Sequence, residues 1–397
     1  MKPKLLIIHN RLVVGGPALD TIPLAYHLRN DFDIHILYGN KEVDETEPTF
    51  LLEKYSGLQL VKIQALQRSP HPLKDYLAYR AIKKYISNFK PDIVHTHGAK
   101  VGLFGRLAAT RKKTSFILHT FHGHLFHSYF NKFLSSSLVL IERWLLKYTD
   151  HVIAISKTQK QELESILKIN DAAKVKLIPL GVDYIDDSMQ THYKQAFKRT
   201  YKLNDETVCI GLLGRLVEIK NTSFFIEVVE NILNRSAKNK IIFFVVGDGT
   251  EKQTMMNQLA QKQIKYSESP HQDAPVIFTS WVQNIQNILA GLDIVVLTSH
   301  NEGTPMSLIE AQLSGKPVVA VNVGGVKDTM VADETGILIE RHNVQQFSDA
   351  VISLIQDKSL RNEMGNKGKR FASNVFSKER EVNSLRHLYN SYNHKHE

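Results

Sequence analysis

Short apolar runs alternate along the chain with longer stretches in which apolar residues recur every three or four positions. In the first half, "PKLLIIHN", "FDIHILYG", "DIVHTHG", "SFILHTFHG" and "HVIAIS" read as buried strands. Between them, "ALDTIPLAYHLR", "KDYLAYRAIKKYISNF", "KVGLFGRLAATR" and "FLSSSLVLIERWLLKYT" have the spacing of helices, the second stopped by Pro91. After the polar stretch "VDYIDDSMQTHYKQAFKRTYKLNDET" the alternation restarts. "VCIGLLGR", "KIIFFVVGDG", "VIFTSW", "DIVVLTS" and "PVVAV" are strands, with "NTSFFIEVVENIL" and "TEKQTMMNQLAQKQ" among the helices. Strands alternating with helices predict parallel sheets covered on both faces, and two such runs predict two doubly wound α/β domains. The boundaries read as a first domain over 1–183, a linker over 184–206, a second domain over 207–372 and a helical tail over 373–397. Ligands of such sheets bind outside the carboxyl ends of the strands. The conspicuous Gly-, His- and Glu-rich segments all follow strands, so one cleft between the domains is the expected site.

At 397 residues the chain suits two cores better than one, and 43% hydrophobic with 23% charged residues is an ordinary globular composition. The single Cys209 excludes an internal disulfide framework and fits a reducing compartment. "MKPKLLIIHNRLVVGG" has lysines before an apolar run, as a signal peptide does. His9, Asn10 and Arg11 interrupt that run, and it passes into a glycine turn as a first strand would. No segment approaches the roughly 18 uninterrupted apolar residues of a membrane span. The expected location is cytoplasmic. The net charge of +10 lies wholly in the first half. Residues 1–183 hold 26 Lys+Arg against 16 Asp+Glu, and residues 184–397 hold 24 against 24. Such asymmetry points to a polyanion, an anionic membrane or an acidic acceptor, or to solubility alone.

Four segments of the second half carry candidate chemistry. In "SHNEGTPMSLIEAQLSGKPVVAV", Pro305 suits the first position of a helix, and the N–H groups around Thr304 to Ser307 would then form an anion site. Glu302 precedes it and Glu310 follows about a turn later. Such a site, framed by two acceptors, suits a ligand with phosphate and hydroxyl groups, although an ordinary helix start would look the same. "GRLVEIKN" offers Arg215 and Lys220 to a diphosphate, or a plain surface pair. "VVGDG" is either a turn or a ligand loop. "FTSWVQN", which contains Val282, could frame a base through its backbone. In the first half, Gly15 and Gly16 would let a ligand approach a helix start. "HTFHGHLFH" gathers His119, His122, His124 and His127 with no carboxylate or cysteine to complete a metal site, so a histidine that positions a sugar is the preferred reading. Asp31-Phe32-Asp33 mimics a D-x-D metal motif but lies before a strand, and no metal is expected.

With "EGTPMSLIE" in an E-x7-E pattern, "GGV" at Gly324 and Gly325, "GRLVEIKN", "VVGDG", "AIS", "PLGVD" and the early Gly-Gly turn, nearly the full chain resembles the family 4 retaining glycosyltransferases of GT-B architecture. The resemblance implies two Rossmann-like domains facing each other across a cleft, the first on the acceptor side and the second binding the nucleotide sugar, with the C-terminal helix crossing back to the first. It implies that Arg215 and Lys220 hold the donor diphosphate and Glu310 the ribose hydroxyls. Glu302 would meet the donor sugar, and the backbone from Gly303 through Thr304 and Pro305 to Met306 would reach phosphate and sugar. His122, with His124 as the alternative, would lie by the transferred sugar, and Gly15 and Gly16 by the β-phosphate and acceptor. Leu180 stands where many relatives have Asn. The implied reaction is metal-free, cofactor-free transfer with retention from a UDP-sugar, an N-acetylhexosamine or hexose, by front-face attack. The acceptor would be a saccharide or a polyprenyl-diphosphate-linked saccharide in cell-surface polysaccharide assembly. The "ATRKKT" patch (Arg111, Lys112, Lys113) and "FLSSSLVLIERWLLK" suggest peripheral contact with an anionic membrane at the inner face, although packing on the sheet is the preferred reading of the second segment. A non-hydrolysing UDP-GlcNAc 2-epimerase shares the architecture and is the alternative. A nucleic-acid-binding protein fits the basic half but leaves the phosphate and hydroxyl elements without a role.

Overall fold

The structure, a computed structural model, describes residues 2–43, 45–111, 116–122, 132–183, 187–236, 240–270, 274–282 and 284–392. The chain divides into two compact units, Met1–Asp183 with Ser377–Glu397, and Tyr184–Phe376.

The first unit is built on β1 (Lys4–Arg11), β2 (Asp33–Gly39), β3 (Gln59–Lys62), β4 (Ile93–His97), β5 (Phe116–Phe121), β6 (His151–Ala154) and β7 (Val175–Leu177). They form one parallel sheet in the order β3-β2-β1-β4-β5-β6-β7. The second unit repeats the plan with β8 (Val208–Leu213), β9 (Ile241–Val246), β10 (Tyr266–Ser267), β11 (Val276–Ser280), β12 (Ile294–Leu297), β13 (Val318–Val321) and β14 (Gly336–Ile339), ordered β10-β11-β9-β8-β12-β13-β14. All its described pairings are parallel as well. This is the doubly wound arrangement of a GT-B protein, two Rossmann-like domains. In each sheet the direction of winding reverses once, between β1 and β4 and between β8 and β12. Such switch points open a crevice at the carboxyl ends of the two strands.

Every residue of β5, β8 and β9 is buried, which is why these strands read as continuous apolar runs. Helices close both faces. In the second unit Phe224, Phe225, Val228, Phe347 and Val351 form one core, and Phe197, Leu289, Leu308 and Ala311 belong to the other. Burying each side chain of that size stabilises by about 1.5–3 kcal/mol.

Two boundaries differ from those read in the sequence. The stretch 184–206, expected to be a linker, carries the helix Gln190–Thr200, which belongs to the second unit. Its Phe197 fills the space left by Gly291, where a Cβ would meet the ring at 2.1 Å. That single apolar anchor in a polar segment hides the helix from a composition reading. The last helix is Lys378–Asn390, and the first unit takes up the chain again only at Ser377, whose hydroxyl accepts from Arg380 N–H as a cap. The preceding helix, Lys358–Val375, stays with the second unit. In the C-terminal helix Leu385, Leu388 and Tyr389 are buried, with Tyr389 edge-on to Phe32 at 5.5 Å.

Candidate functional site

In the second unit the expected residues gather at the β8/β12 switch point. Arg215 follows β8 and is exposed; its carbonyl accepts from Val217 N–H at 3.1 Å, and its guanidinium has no hydrogen-bond partner among the described residues. The chain then makes a 3-10 turn, Glu218–Lys220, and Asn221 takes φ 48° before the helix Thr222–Arg235, its side chain accepting from Phe224 N–H at 3.4 Å. Asparagine tolerates that left-handed geometry and caps the helix in the same move. The turn sends Lys220 back over Gly214, where a Cβ would lie 3.8 Å from Cε of Lys220. Lys220 Nζ then meets Glu302 Oε1 at 2.5 Å, and the Ser299 hydroxyl donates to the same oxygen at 2.5 Å. The family resemblance implies separate roles for the two, Lys220 on the diphosphate and Glu302 on the sugar. The structure ties them into one pair, with Ser299 as a third member that no sequence signal marked.

Glu302 itself is held by its backbone. Gly325 N–H donates to its carbonyl at 3.0 Å, and Gly324, at φ 53°, lies so close that a Cβ would meet that carbonyl at 2.0 Å. The helix beyond is Met306–Leu313, so Pro305 stands one residue before it, in the capping position and not the first helical one. Pro305 has no side-chain acceptor to offer, and Gly303, Thr304, Met306 and Ser307 have N–H groups without an acceptor among the described residues. The buried Thr304 hydroxyl is likewise unpartnered. A helix start with open donors favours an anion. Glu310, partly buried in the first turns of the same helix, has its carboxyl raised to about 7 by burial, and no hydrogen bond offsets it.

The remaining segments separate. "VVGDG" is chiefly a packing device. A Cβ at Gly247 would meet Gly214 O at 2.0 Å, and one at Gly249 would meet Leu216 O at 2.3 Å, so this loop lies directly on the Arg215 loop and supports it. Asp248 between them accepts from the Ser280 hydroxyl at 2.6 Å and from Gly249 N–H at 2.8 Å. Burial opposes its ionisation, but those bonds hold it below the ordinary carboxylate value. Val282 packs its side chain against the core around Cys209 and Leu213, which leaves its backbone for any ligand contact.

In the first unit the β1/β4 switch point carries two features. Gly15 and Gly16 begin the helix Gly16–Leu28, and a Cβ on either would meet nothing within 4 Å, so the space above them is open. Beside them stands a column of imidazoles. His9 of β1 stacks on His97 of β4 at 4.4 Å, and His97 Nδ1 lies 2.7 Å from His122 Nε2 just after β5. His95 is fixed by Tyr389 Oη at 2.8 Å and Thr120 Oγ1 at 2.7 Å. Burial, then neighbouring imidazoles, lower His9 and His95 to about 3. His97 and His119 lie well below the ordinary value, and burial lowers His122 against the pull of Asp20. The rings are therefore neutral near pH 7. Among the described residues no three His, Cys, Asp or Glu side chains are arranged so as to hold a metal ion. His9, His95 and His97 lay outside the histidine-rich segment singled out in the sequence. Their only signal was a histidine at or near the end of each strand. His124, His127, Lys112 and Lys113 lie outside the described residues. Asp31 of the D-x-D mimic accepts from Arg386 Nε at 2.9 Å.

Comparison with known proteins adds two matches that divide the chain much as the fold does. Residues 14–184 match the family described as Glycosyltransferase Family 4, and residues 194–371 match Glycosyl transferases group 1. Among characterised relatives, a UDP-Gal:α-D-GlcNAc-diphosphoundecaprenol α-1,3-galactosyltransferase of Escherichia coli is 28% identical over 82% of this chain and 82% of its own length. The capsular polysaccharide biosynthesis glycosyltransferase CapM of Staphylococcus aureus is 26% identical over 76% of this chain and 77% of its own. Among solved structures, Anabaena HepE in complex with UDP and glucose aligns over 98% of this chain and 100% of its own, with a TM-score of 0.78 at 18% identity.

Proposed function

The chain belongs to the family 4 glycosyltransferases of GT-B architecture, and from that premise we propose that it transfers an N-acetylhexosamine or hexose from a UDP-sugar to a saccharide or polyprenyl-diphosphate-linked saccharide in surface-polysaccharide assembly. The observation that carries the donor side is the open helix start at Gly303–Ser307, flanked by the unpaired Arg215 and the Lys220–Glu302 pair and followed by the unpartnered Glu310 carboxyl. A nucleoside diphosphate sugar presents the matching set, a diphosphate for the cations and N–H groups and hydroxyls for the carboxylates. The Escherichia coli relative supports the acceptor class, because its acceptor is a diphosphoundecaprenol-linked sugar.

As the glycosidic bond breaks, negative charge grows on the leaving diphosphate. Arg215, Lys220 and the helix N-terminus stabilise it in place, which is the largest catalytic contribution these residues can make. Glu302 is spoken for by Lys220 and Ser299, so it positions the sugar and does not act as a nucleophile. The departing phosphate takes the acceptor proton as the acceptor attacks from the same face, giving retention without a metal. By the family resemblance, His122 is assigned to the transferred sugar.

A membrane-borne acceptor fits the outer face of the helices Pro72–Phe89, Ala99–Arg111 and Lys132–Leu145. Leu73, Tyr76 and Leu77 on the first are exposed ahead of Arg80 and Lys84, and Leu140, Ile141 and Trp144 are exposed on the last. These helices contain two acidic residues, Asp75 and Glu142, paired at 2.6 Å with Lys100 and at 2.7 Å with Arg106, so no free anion opposes a negatively charged surface. Apolar and aromatic tips among unopposed cations suit the interface of an anionic bilayer.

The test is product analysis without added metal. UDP-sugars are offered with a lipid-linked saccharide, and UDP release and the anomeric coupling of the new linkage are read by NMR. UDP release with an α-linked product is expected. Consumption of the sugar nucleotide with epimer formation and no UDP release would contradict the proposal.

A further inference from the structure

His122 does not stand alone, and the way it is held decides what it can do. His97 Nδ1 and His122 Nε2 are 2.7 Å apart, while His97 Nε2 and His122 Nδ1 are both sequestered without a partner. Two neutral imidazoles joined in this way hold two ring protons, one between them and one at an outer end. Either His97 donates to His122, leaving the outer proton on His122 Nδ1, or the direction is reversed and the outer proton lies on His97 Nε2. The two arrangements differ in where an unpaired N–H is stranded. His97 is 4% exposed, with His9 on one face at 4.4 Å and His95 at 4.1 Å, and its Nε2 has no acceptor among the described residues. His122 is only partly buried and lies just past the carboxyl end of β5. An unsatisfied N–H costs more in the deeper position.

We infer that His97 is a positioning residue for His122: its Nδ1–H donates to His122 Nε2, fixes the ring and holds the His122 proton on Nδ1, so that His122 offers a hydrogen-bond donor to the substrate. The inference rests on the reading that His122 contacts the transferred sugar, where a donor on Nδ1 would bind a sugar oxygen. The rest of the column serves the same end. His9 packs behind His97, and Tyr389 and Thr120 fix both nitrogens of His95, so His97 is confined by rings that cannot rotate away.

The test has a spectroscopic and a kinetic arm. Long-range 15N–1H correlation on the 15N-labelled protein near pH 7, with His122 assigned by its absence in His122→Ala, should show Nδ1 protonated and Nε2 as an acceptor. His97→Ala should mix the two tautomers of His122 and lower kcat about ten- to a hundredfold, with KM for the UDP-sugar nearly unchanged, because orientation is lost and donor binding is not. His97→Asn places an amide N–H where Nδ1–H was and should restore most of the rate and the single tautomer. A protonated Nε2 on His122 in the wild type would overturn the proposal. So would wild-type turnover in His97→Ala beside an impaired His122→Ala. If His122→Ala itself transfers sugar at the wild-type rate, the reading of His122 as a sugar contact falls, and the proposal with it.

Discussion

Glu302, on the loop before the helix Met306–Leu313, and Glu310, within it, are held in different ways. The E-x7-E pattern marked Glu302 and Glu310, and both stand at the second-unit site. What the pattern could not convey is their difference. Glu302 is tied to Lys220 and Ser299, whereas burial raises the Glu310 carboxyl to about 7 with no bond to offset it. Because its folded value lies above the unfolded 4.5, the native state holds more protons than the unfolded chain between these values. Stability is therefore lost as pH rises from about 4.5 to about 7 and stays reduced above. Glu310→Gln should remove that slope and raise the melting temperature at pH 8 more than at pH 5, as scanning fluorimetry would show. If the carboxylate accepts ribose hydroxyls, UDP affinity of the wild type should increase as pH rises through about 7, and the Gln variant should show a flat profile by titration calorimetry. Arg215→Ala and Lys220→Ala should each lower kcat about a hundredfold, measured as UDP release under saturating donor. Ser299 was invisible in the sequence because an isolated serine after a strand has no distinguishing neighbour; only the fold brings it to Glu302.

Among elements, the central strands were legible and the edges were not. β8 and β9 are buried throughout, and their runs announced them. β3, β7, β10 and β14, the four strands that the apolar runs do not mark, are the edges of the two sheets, between two and four residues long. An edge strand buries less and pairs on one side only, so its sequence carries little pattern. The glycines of "GGV" gain a physical reason from the structure. Gly324 has the positive φ and the close contact with the Glu302 carbonyl that only glycine accommodates. Gly324→Ala should displace the Glu302 loop, destabilise by about 1–3 kcal/mol and weaken donor binding. A variant that melts and binds UDP as the wild type does would count against that role. The capping position of Pro305, one residue earlier than its helix preference suggested, keeps four N–H groups of the turn open.

At the scale of the molecule, the C-terminal helix is the long-range tie. Lys378, 4% exposed, bridges Asp20 of the first helix at 3.0 Å and Glu381 at 2.6 Å, and Tyr389 reaches His95. Lys378→Met would leave two buried carboxylates without their cation, a loss of about 3–5 kcal/mol near neutral pH. The loss should shrink as pH falls, since protonation neutralises both, and melting curves at pH 5 and pH 8 would show it. The charge asymmetry noted in the sequence acquires a location in the three basic helices of the first unit, and among the described residues no helix is long and apolar enough to cross a membrane. Trp144→Glu with Leu140→Glu should weaken sedimentation with phosphatidylglycerol vesicles; undiminished sedimentation would remove the membrane reading. In the proposed function the second unit binds the nucleotide of a UDP-sugar through the helix start and Glu310. Titration calorimetry of UDP in EDTA, on the wild type and on Glu310→Ala, tests this most directly. Saturable binding by the wild type, weakened at least about tenfold in the variant, is expected for a lost charged hydrogen bond. Equal binding by both proteins, or binding only after a divalent metal is restored, would contradict it.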